Sequence, residues 1–378
     1  MRVLIDYRAA LRERSGVGEY THQLVRALLE ARVDQQGAPL DITVFSSSSK
    51  DRLVCGPDLA GSHCVDRRVP VRLLNLAWHR LGWPSAETLA GGVFDIAHSL
   101  HPLLMPARRA AQVVTIHDLN FLYHPERTRA EIRRDYPALA RSHAHRADRV
   151  IVVSEFTRRE VVRLLEVPAD RITVASPGGP NWTARTGEPR DGYVLFFGTL
   201  EPRKNLGALL DAWEILLGRR RVLPELRIAG KTTDQSDAWL ARMSRPPLSG
   251  AVRHVGYVAP DARRDLYTGA RLLVQPSFEE GFGLPVLEAM TVGVPVVAAD
   301  AGALPEVGAD AVRLVTPTDP DAMADAIEAL LDDEQARARA TARGLARAAQ
   351  YNWASTAAAT LDAYAKARAG RTARRGVA

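Results

Sequence analysis

The sequence predicts an α/β protein made of two doubly wound domains in tandem, and three observations carry that prediction. Short apolar, β-branched runs alternate with helical segments along the chain, the alternation breaks once near residue 177 in a stretch rich in proline and glycine, and 378 residues are enough to build two cores. Runs that are apolar on both faces belong to parallel sheets covered by helices on each side. A chain of this length favours two domains over one.

The elements follow in order. "RVLID" at residues 2–6 is a short strand, "RSGVGEY" is a glycine-bearing turn, and "THQLVRALLEA" places Leu24, Val25 and Leu28 at helical spacing. "DITVFS", "FDIAHSL", "AQVVTIHD" and "DRVIVVSEF" continue as strands, and "TRREVVRLLEV" sets Val161, Val162 and Leu165 on a helix. "PGGPNWTARTGEPRDG" has no periodicity and reads as a linker over about 177–192. The same grammar then restarts with "YVLFFG", "NLGALLDAWEIL", "ELRIAG", "VRHVGYV", "ARLLVQPS" and "PVVAAD". Helical composition fills 319–350 and 353–367, and the closing "KARAGRTARRGVA" is expected to fray into solvent. The expected boundaries are 1–178 plus about 355–378 for the first domain and 190–354 for the second.

Hydrophobic residues make up 46% and charged residues 25%, a balance that excludes disorder as the default. No signal peptide opens the sequence and no run approaches a membrane span, so the expected compartment is cytoplasmic. Cys55 and Cys64 have neither zinc-ligand spacing nor the number for a disulfide framework, and both read as reduced thiols. A formal charge of +6 fits polyanionic partners, whether nucleic acid, an acidic membrane or phosphorylated substrates, and equally fits compositional bias.

Two loops carry the chemistry. Gly198 ends the strand "YVLFF", Asn205 suits an N-cap, and Arg203 and Lys204 stand between them at a helix start. Free N–H groups, the helix dipole and two cations would together hold a diphosphate; solvated loop charges are the alternative. "FEEGFGLPVLEAM" at 278–290 repeats the geometry, with Pro285 suited to the first position of a helix and Glu280 and Glu288 on either side of the helix start. These carboxylates are spaced to grip opposite ends of an extended ligand, with Gly281 and Gly283 letting backbone approach it. Glu288 also reads as ordinary first-turn dipole chemistry. Glu280 beside an anion site makes sense if it binds hydroxyls, so diphosphate plus hydroxyls means a nucleotide sugar. In the first half, Gly16 and Gly18 form a lone G-x-G, short of a dinucleotide fingerprint, and His117 and Asp118 follow a buried strand directly. His117 reads either as a site residue or as a buried structural histidine. No set of residues has metal-ligand spacing.

At these residues the chain resembles a known family. "FEEGFGLPVLEAM" resembles the E-x7-E motif of retaining glycosyltransferases of family 4, which have the GT-B fold of two Rossmann-like domains facing a cleft. "FFGTLEPRKNLGALLDAW" and "HVGYV" resemble their nucleotide-sugar domain, and "SGVGEYTHQLVRALL", "TIHDL" and "VIVVSEFTRRE" their acceptor domain. The likeness runs from the first strand to about Tyr364 and is nearest in character to bacterial mannosyltransferases of surface-polysaccharide synthesis. It implies that Glu288 binds ribose hydroxyls, Glu280 faces the donor sugar, Arg203 and Lys204 neutralise the diphosphate, Gly16 brings backbone to it, and His117 contacts the sugar near the reacting carbon. Gly18, Gly198, Thr199, Gly281, Phe282, Gly283 and Leu284 complete the implied donor site. Thr199 is a departure, because some relatives carry arginine there. The last helix is implied to cross back to the first domain.

The implied reaction moves a hexose with retention, without a metal or cofactor and without a protein nucleophile, from GDP-mannose to a glycan or lipid-linked acceptor. A UDP-glucose or UDP-N-acetylglucosamine donor is the alternative. A glycoside hydrolase would have no use for the Arg-Lys pair, a non-catalytic nucleotide-sugar binder would show no turnover, and a nicotinamide dehydrogenase lacks its glycine pattern. Nucleic acid is not an expected partner. The basic stretches 67–83, with Leu73, Leu74, Leu76, Trp78 and Trp83, and 127–146 read either as ordinary amphipathic helices or as peripheral contacts with an anionic membrane at the inner face.

Overall fold

The structure is a computed structural model that describes residues 1–378 apart from 12, 13, 15, 124–129, 221, 377 and 378. Part of the basic stretch 127–146 therefore lies outside the described residues. The chain divides into two compact units, one of residues 1–178 with 352–378 and one of residues 179–351.

In the first unit, β1 (Arg2–Asp6), β2 (Asp41–Ser47), β3 (His63–Arg67), β4 (Ile96–Ser99), β5 (Ala111–Ile116), β6 (Arg149–Val152) and β7 (Ile172–Val174) form one sheet in the order β3-β2-β1-β4-β5-β6-β7, with every neighbouring pair parallel. β5 is buried along its whole length, as a strand covered on both faces must be. The helix Val17–Ala31 buries Leu24, Val25 and Leu28, while on Glu155–Leu165 the buried face holds Val161 and Leu165 and leaves Val162 exposed.

The final helix, Trp353–Gly376, lies on this first unit, against the helix Val17–Ala31 and strands β4 to β7. Its Tyr364 hydroxyl bonds His98 Nδ1 at 2.7 Å inside the sheet's carboxyl end. The basic end, expected to fray, is instead helical. Arg371 and Arg374 pair with the buried carboxylate of Asp148, which gives the last turns a partner to fold against.

In the second unit, β8 (Tyr193–Phe197), β9 (Leu226–Ala229), β10 (Val252–Gly256), β11 (Ala270–Gln275), β12 (Val296–Ala299) and β13 (Arg313–Val315) form a second parallel sheet in the order β10-β9-β8-β11-β12-β13. Leu206, Leu209, Leu210 and Trp213 pack the helix Leu206–Arg219 into its core. Residues 179–192 are fastened along this unit. The Arg185 guanidinium donates to Ala270 O, and Glu188 bridges Arg271 at 2.8 Å and Arg337 at 2.9 Å.

Cys55 and Cys64 are paired as a disulfide, with Cα atoms 6.3 Å apart, which corrects the expectation of two free thiols. The chain from Cys55 turns through the short helix Pro57–Leu59 and brings Cys64 back beside it on β3, a juxtaposition that spacing alone does not reveal.

Candidate active site

Both sheets have the strand order in which the chain runs one way from the first strand and then returns to its other side. Ligands of such sheets sit outside the carboxyl ends of the strands at this switch point. In the second unit the switch point lies between β8 and β11, and the loops leaving these two strands are the two loops singled out in the sequence.

The loop after β8 passes Gly198 and Thr199 into a 3-10 turn, Pro202–Lys204, and then the helix Leu206–Arg219. Asn205 occupies the N-cap position but does not cap the helix with its side chain. It has φ 56°, and its amide nitrogen donates to Pro276 O at 3.0 Å and Pro317 O at 2.7 Å. The residue thus ties the loop after β8 to the loop after β11. Phe278 N donating to Arg203 O at 2.8 Å adds a second tie.

These ties bring Arg203, Lys204 and Glu280 together. Lys204 Nζ donates to Glu280 Oε1 at 2.5 Å, and Arg203 Nη1 lies 3.4 Å from Glu280 Oε2. Ser277 Oγ and Gln275 Nε2 also donate to Glu280 Oε1, at 2.8 and 3.0 Å. Burial alone would raise the Glu280 pKa, but Lys204, Arg203 and these hydrogen bonds hold it at about 2. Burial and the neighbouring Arg203 lower that of Lys204, and Glu280 opposes the shift. Arg203 also donates from Nε to Glu201 at 2.6 Å. Arg203 and Lys204 therefore belong to a network in which Glu201 and Glu280 match both charges. A charged side chain that leaves water needs such partners.

Glu280 leads through Gly281, Phe282 and Gly283 to the helix Leu284–Thr291. Gly283 has φ +101°, and a Cβ there would lie 2.6 Å from Leu304 Cδ2, so its glycine is required by backbone and packing. Glu288, inside this helix, is buried and accepts from the Tyr267 hydroxyl at 2.7 Å, with Arg263 Nη1 at 3.9 Å. Burial, then the charge of Glu288, raises the Tyr267 pKa well above its ordinary value, so the phenol stays a donor. Among the described residues, the hydrogen bonds and ion pairs given above join Glu280 and Glu288 to different side chains.

Gly16, Gly18 and His117 belong to the first unit. Gly16 starts the helix Val17–Ala31 at φ +52°. A Cβ on Gly18 would meet Ala9 O at 2.6 Å, so the packing of that helix on its preceding loop requires a glycine there. His117 follows β5 and is half-buried. Its Nε2 donates to Leu100 O at 3.1 Å, and Tyr20 packs edge-on against its ring at 4.8 Å. Burial pushes its pKa down to about 4, so the ring is neutral with a lone pair on Nδ1.

Several residues were not singled out from sequence. Gln275 and Ser277 line Glu280, and a glutamine directly after the apolar run "LLV" was the available signal. Tyr267 and Arg263 hold Glu288 from the helix Pro260–Thr268, with no local signature. Asp6 and Arg8, at the end of β1, form a bidentate pair at the first unit's own switch point.

Comparison with known proteins gives a consistent picture. Residues 14–178 match the family model described as Glycosyltransferase Family 4, and residues 191–333 match that described as Glycosyl transferases group 1. The chain is 36% identical over 367 residues to the O-antigen chain mannosyltransferase B of Escherichia coli, covering 93% of this chain and 96% of that one. It is 33% identical over 241 residues to the D-inositol 3-phosphate glycosyltransferase of Thermobispora bispora, covering 58% and 56%. Among solved structures, the sucrose-phosphate synthase of Thermosynechococcus elongatus superposes with a TM-score of 0.73 at 19% identity, covering 94% of this chain and 96% of that one. HepE of Anabaena, solved with UDP and glucose, does so with a TM-score of 0.71 at 18% identity, covering 96% and 98%.

Proposed function

The chain belongs to glycosyltransferase family 4 and is a glycosyltransferase of GT-B fold, and from that premise we propose that it transfers mannose from GDP-mannose to a hydroxyl of a surface glycan, with retention at the anomeric carbon. The observation that carries the proposal is the convergence of Arg203, Lys204 and Glu280 at the switch point of the second sheet. The likeness to an O-antigen chain mannosyltransferase over almost the full length of both chains supports the choice of sugar.

In this reading the second unit binds the donor. The diphosphate lies over the turn Pro202–Lys204 and the start of the helix Leu284–Thr291. The positive charges of Arg203 and Lys204 stabilise the charge that grows on the diphosphate as the sugar leaves. Glu280 keeps Lys204 charged and aimed in a buried place where it would otherwise lose its proton. Its Oε2, with Arg203 Nη1 at 3.4 Å, also accepts from the sugar hydroxyls. Glu288, held by Tyr267 and Arg263, accepts from the ribose hydroxyls. Gly198, Thr199, Gly281, Phe282 and Leu284 supply the walls and backbone of this site.

The first unit binds the acceptor in this proposal, with backbone at Gly16 and the Nδ1 lone pair of His117 contributing on that side. Two cations perform the charge stabilisation, so no metal or cofactor enters the proposed reaction, and the acceptor proton passes to a donor phosphate oxygen. Among the described residues no helix is long and apolar enough to cross a membrane. The segment 67–83 nevertheless leaves Leu73, Leu76, Leu81 and Trp83 exposed beside Arg67, Arg68, Arg72 and Arg80, and supports peripheral contact with an anionic cytoplasmic leaflet carrying a lipid-linked acceptor.

The test is to incubate the protein with GDP-mannose and octyl α-mannoside in the presence of a chelator and to assign the product by NMR. An α-mannosyl product is expected. A β-linked product overturns the retention claim, and transfer only from UDP sugars overturns the donor.

A further inference from the structure

The first unit carries a polar cluster that the transfer chemistry above does not use, and it stands at the switch point between β1 and β4. Asp6, the last residue of β1, is fully buried and binds Arg8 in a fork, with Nε to Oδ1 at 2.8 Å and Nη2 to Oδ2 at 2.6 Å. His101, in the loop after β4, bonds Asp6 Oδ2 through Nε2 at 3.0 Å. Its Nδ1 accepts from Leu103 N at 3.2 Å, and Arg8 Nη2 lies 3.4 Å from its Nε2. Arg8 Nη1 donates to Asn75 Oδ1 at 2.9 Å, and the guanidinium stacks 4.7 Å over the Trp78 ring.

This arrangement is costly as mere scaffolding. A buried ion pair contributes little to stability against an apolar pair of the same volume. Buried charges at the carboxyl end of a parallel sheet, at its switch point, are where such folds place ligand contacts.

The chemistry of the cluster selects among ligands. Asp6 neutralises Arg8, so the ion pair offers no net charge to an anion. It offers directed hydrogen bonds. Asn75 presents its amide nitrogen, which has no partner among the described residues, and Arg8 Nη1 has a second hydrogen beyond the one given to Asn75. Asn75 and His101 are partly exposed, so the cluster is open at one side. Donors set side by side, rigidly backed by a carboxylate and an aromatic ring, fit adjacent hydroxyl oxygens of a sugar ring.

We propose that Arg8 and Asn75, aligned by Asp6, His101 and Trp78, bind two neighbouring hydroxyls of the acceptor sugar. Arg8 and Asn75 contact the sugar, while Asp6 and His101 are positioning residues. The proposal rests on the transferase reading and specifies the acceptor side of the same reaction.

The test is to titrate methyl α-mannoside and methyl β-N-acetylglucosaminide into the full-length protein, and GDP-mannose separately, by calorimetry. Wild type, Asn75→Ala and Arg8→Lys are compared, with melting temperatures for all three. The expected result is saturable binding of at least one glycoside by the wild type, weakened tenfold or more in both variants, with GDP-mannose affinity unchanged. Asn75 is half-exposed, so Asn75→Ala should melt with the wild type, which separates ligand contact from folding. Glycoside affinity unchanged in Asn75→Ala overturns the proposal. So does a wild type that binds GDP-mannose but neither glycoside, and that outcome leaves the donor reading standing. Glycoside binding lost in the variants while GDP-mannose is not bound at all supports this site and overturns the donor reading instead.

Discussion

Replacing Lys204 by methionine separates what the Lys204–Glu280 pair does for the fold from what it does for the reaction. The Glu280 carboxyl titrates at about 2 against an ordinary 4.5, and this difference corresponds to about 3 kcal/mol favouring the ionised form at neutral pH. The sign follows: this contribution is complete above pH 4.5 and disappears as the pH falls through 2. Lys204→Met removes the 2.5 Å bond and leaves Glu280 with Ser277, Gln275 and a more distant Arg203. The cost is about 3 kcal/mol, the low end for breaking a buried pair, because Arg203 remains. For a unit of this size that lowers the melting temperature by about 6–12 °C.

Glu280→Gln strands a buried ammonium beside Arg203 and costs a similar amount. The double variant Lys204→Met, Glu280→Gln has no unpaired charge and should melt within a few degrees of wild type. Turnover should remain down by about 100-fold or more in Lys204→Met and in the double variant, because there the leaving diphosphate has lost one of its two cations. The assay is differential scanning calorimetry beside GDP release from GDP-mannose. A double variant that regains both stability and turnover refutes the assignment of Lys204 to the diphosphate. A single variant with wild-type melting refutes the energetic role of the pair.

Three further outcomes follow from the structure. Burial lowers the pKa of His98 to about 3 and of His117 and His143 to about 4, so the unfolded chain takes up protons below pH 6.5 before the native state does. Stability is therefore full above pH 6.5 and falls as the pH drops, by about 2 kcal/mol per imidazole at pH 5; urea midpoints that do not differ between pH 7.5 and 5 would contradict this. Gly283→Ala forces a Cβ into Leu304 at φ +101° and should cost about 2–3 kcal/mol in urea unfolding, whereas a wild-type midpoint shows the loop can relax. Tyr267→Phe removes the hydrogen bond to Glu288 and should weaken GDP-mannose binding about tenfold with little change in turnover at saturation, and an unchanged Kd removes Tyr267 from the site.

The doubly wound fold was legible because its central strands are continuous apolar runs between helices, and "YVLFF", "AQVVTI" and "RVLID" all became interior strands. The strands not anticipated, β3, β7 and β13, all lie at sheet edges. An edge strand needs fewer buried residues, so "HCVDR" shows no apolar alternation and "ITV" and "RLV" are too short to show any. The ordered C-terminal helix was misjudged at its end because the partner of its arginines, Asp148, lies 226 positions from Arg374. In the site, the loops after β8 and β11 were readable because each follows a buried strand with a glycine and a charge. Their joining was not readable. It depends on Asn205 turning its amide to Pro276 and Pro317, and on Lys204 meeting Glu280 across 76 residues.

The central claim is that the second unit is built to bind a nucleotide sugar between the Arg203–Lys204–Glu280 network and Glu288. Calorimetric titration of GDP-mannose, GDP-glucose, UDP-glucose and UDP-N-acetylglucosamine, without acceptor, tests it most directly when Glu288→Ala is run beside the wild type. Saturable binding of GDP-mannose, weakened at least tenfold in Glu288→Ala, is the predicted result. Binding of none of the four, or binding that Glu288→Ala leaves untouched, would contradict it.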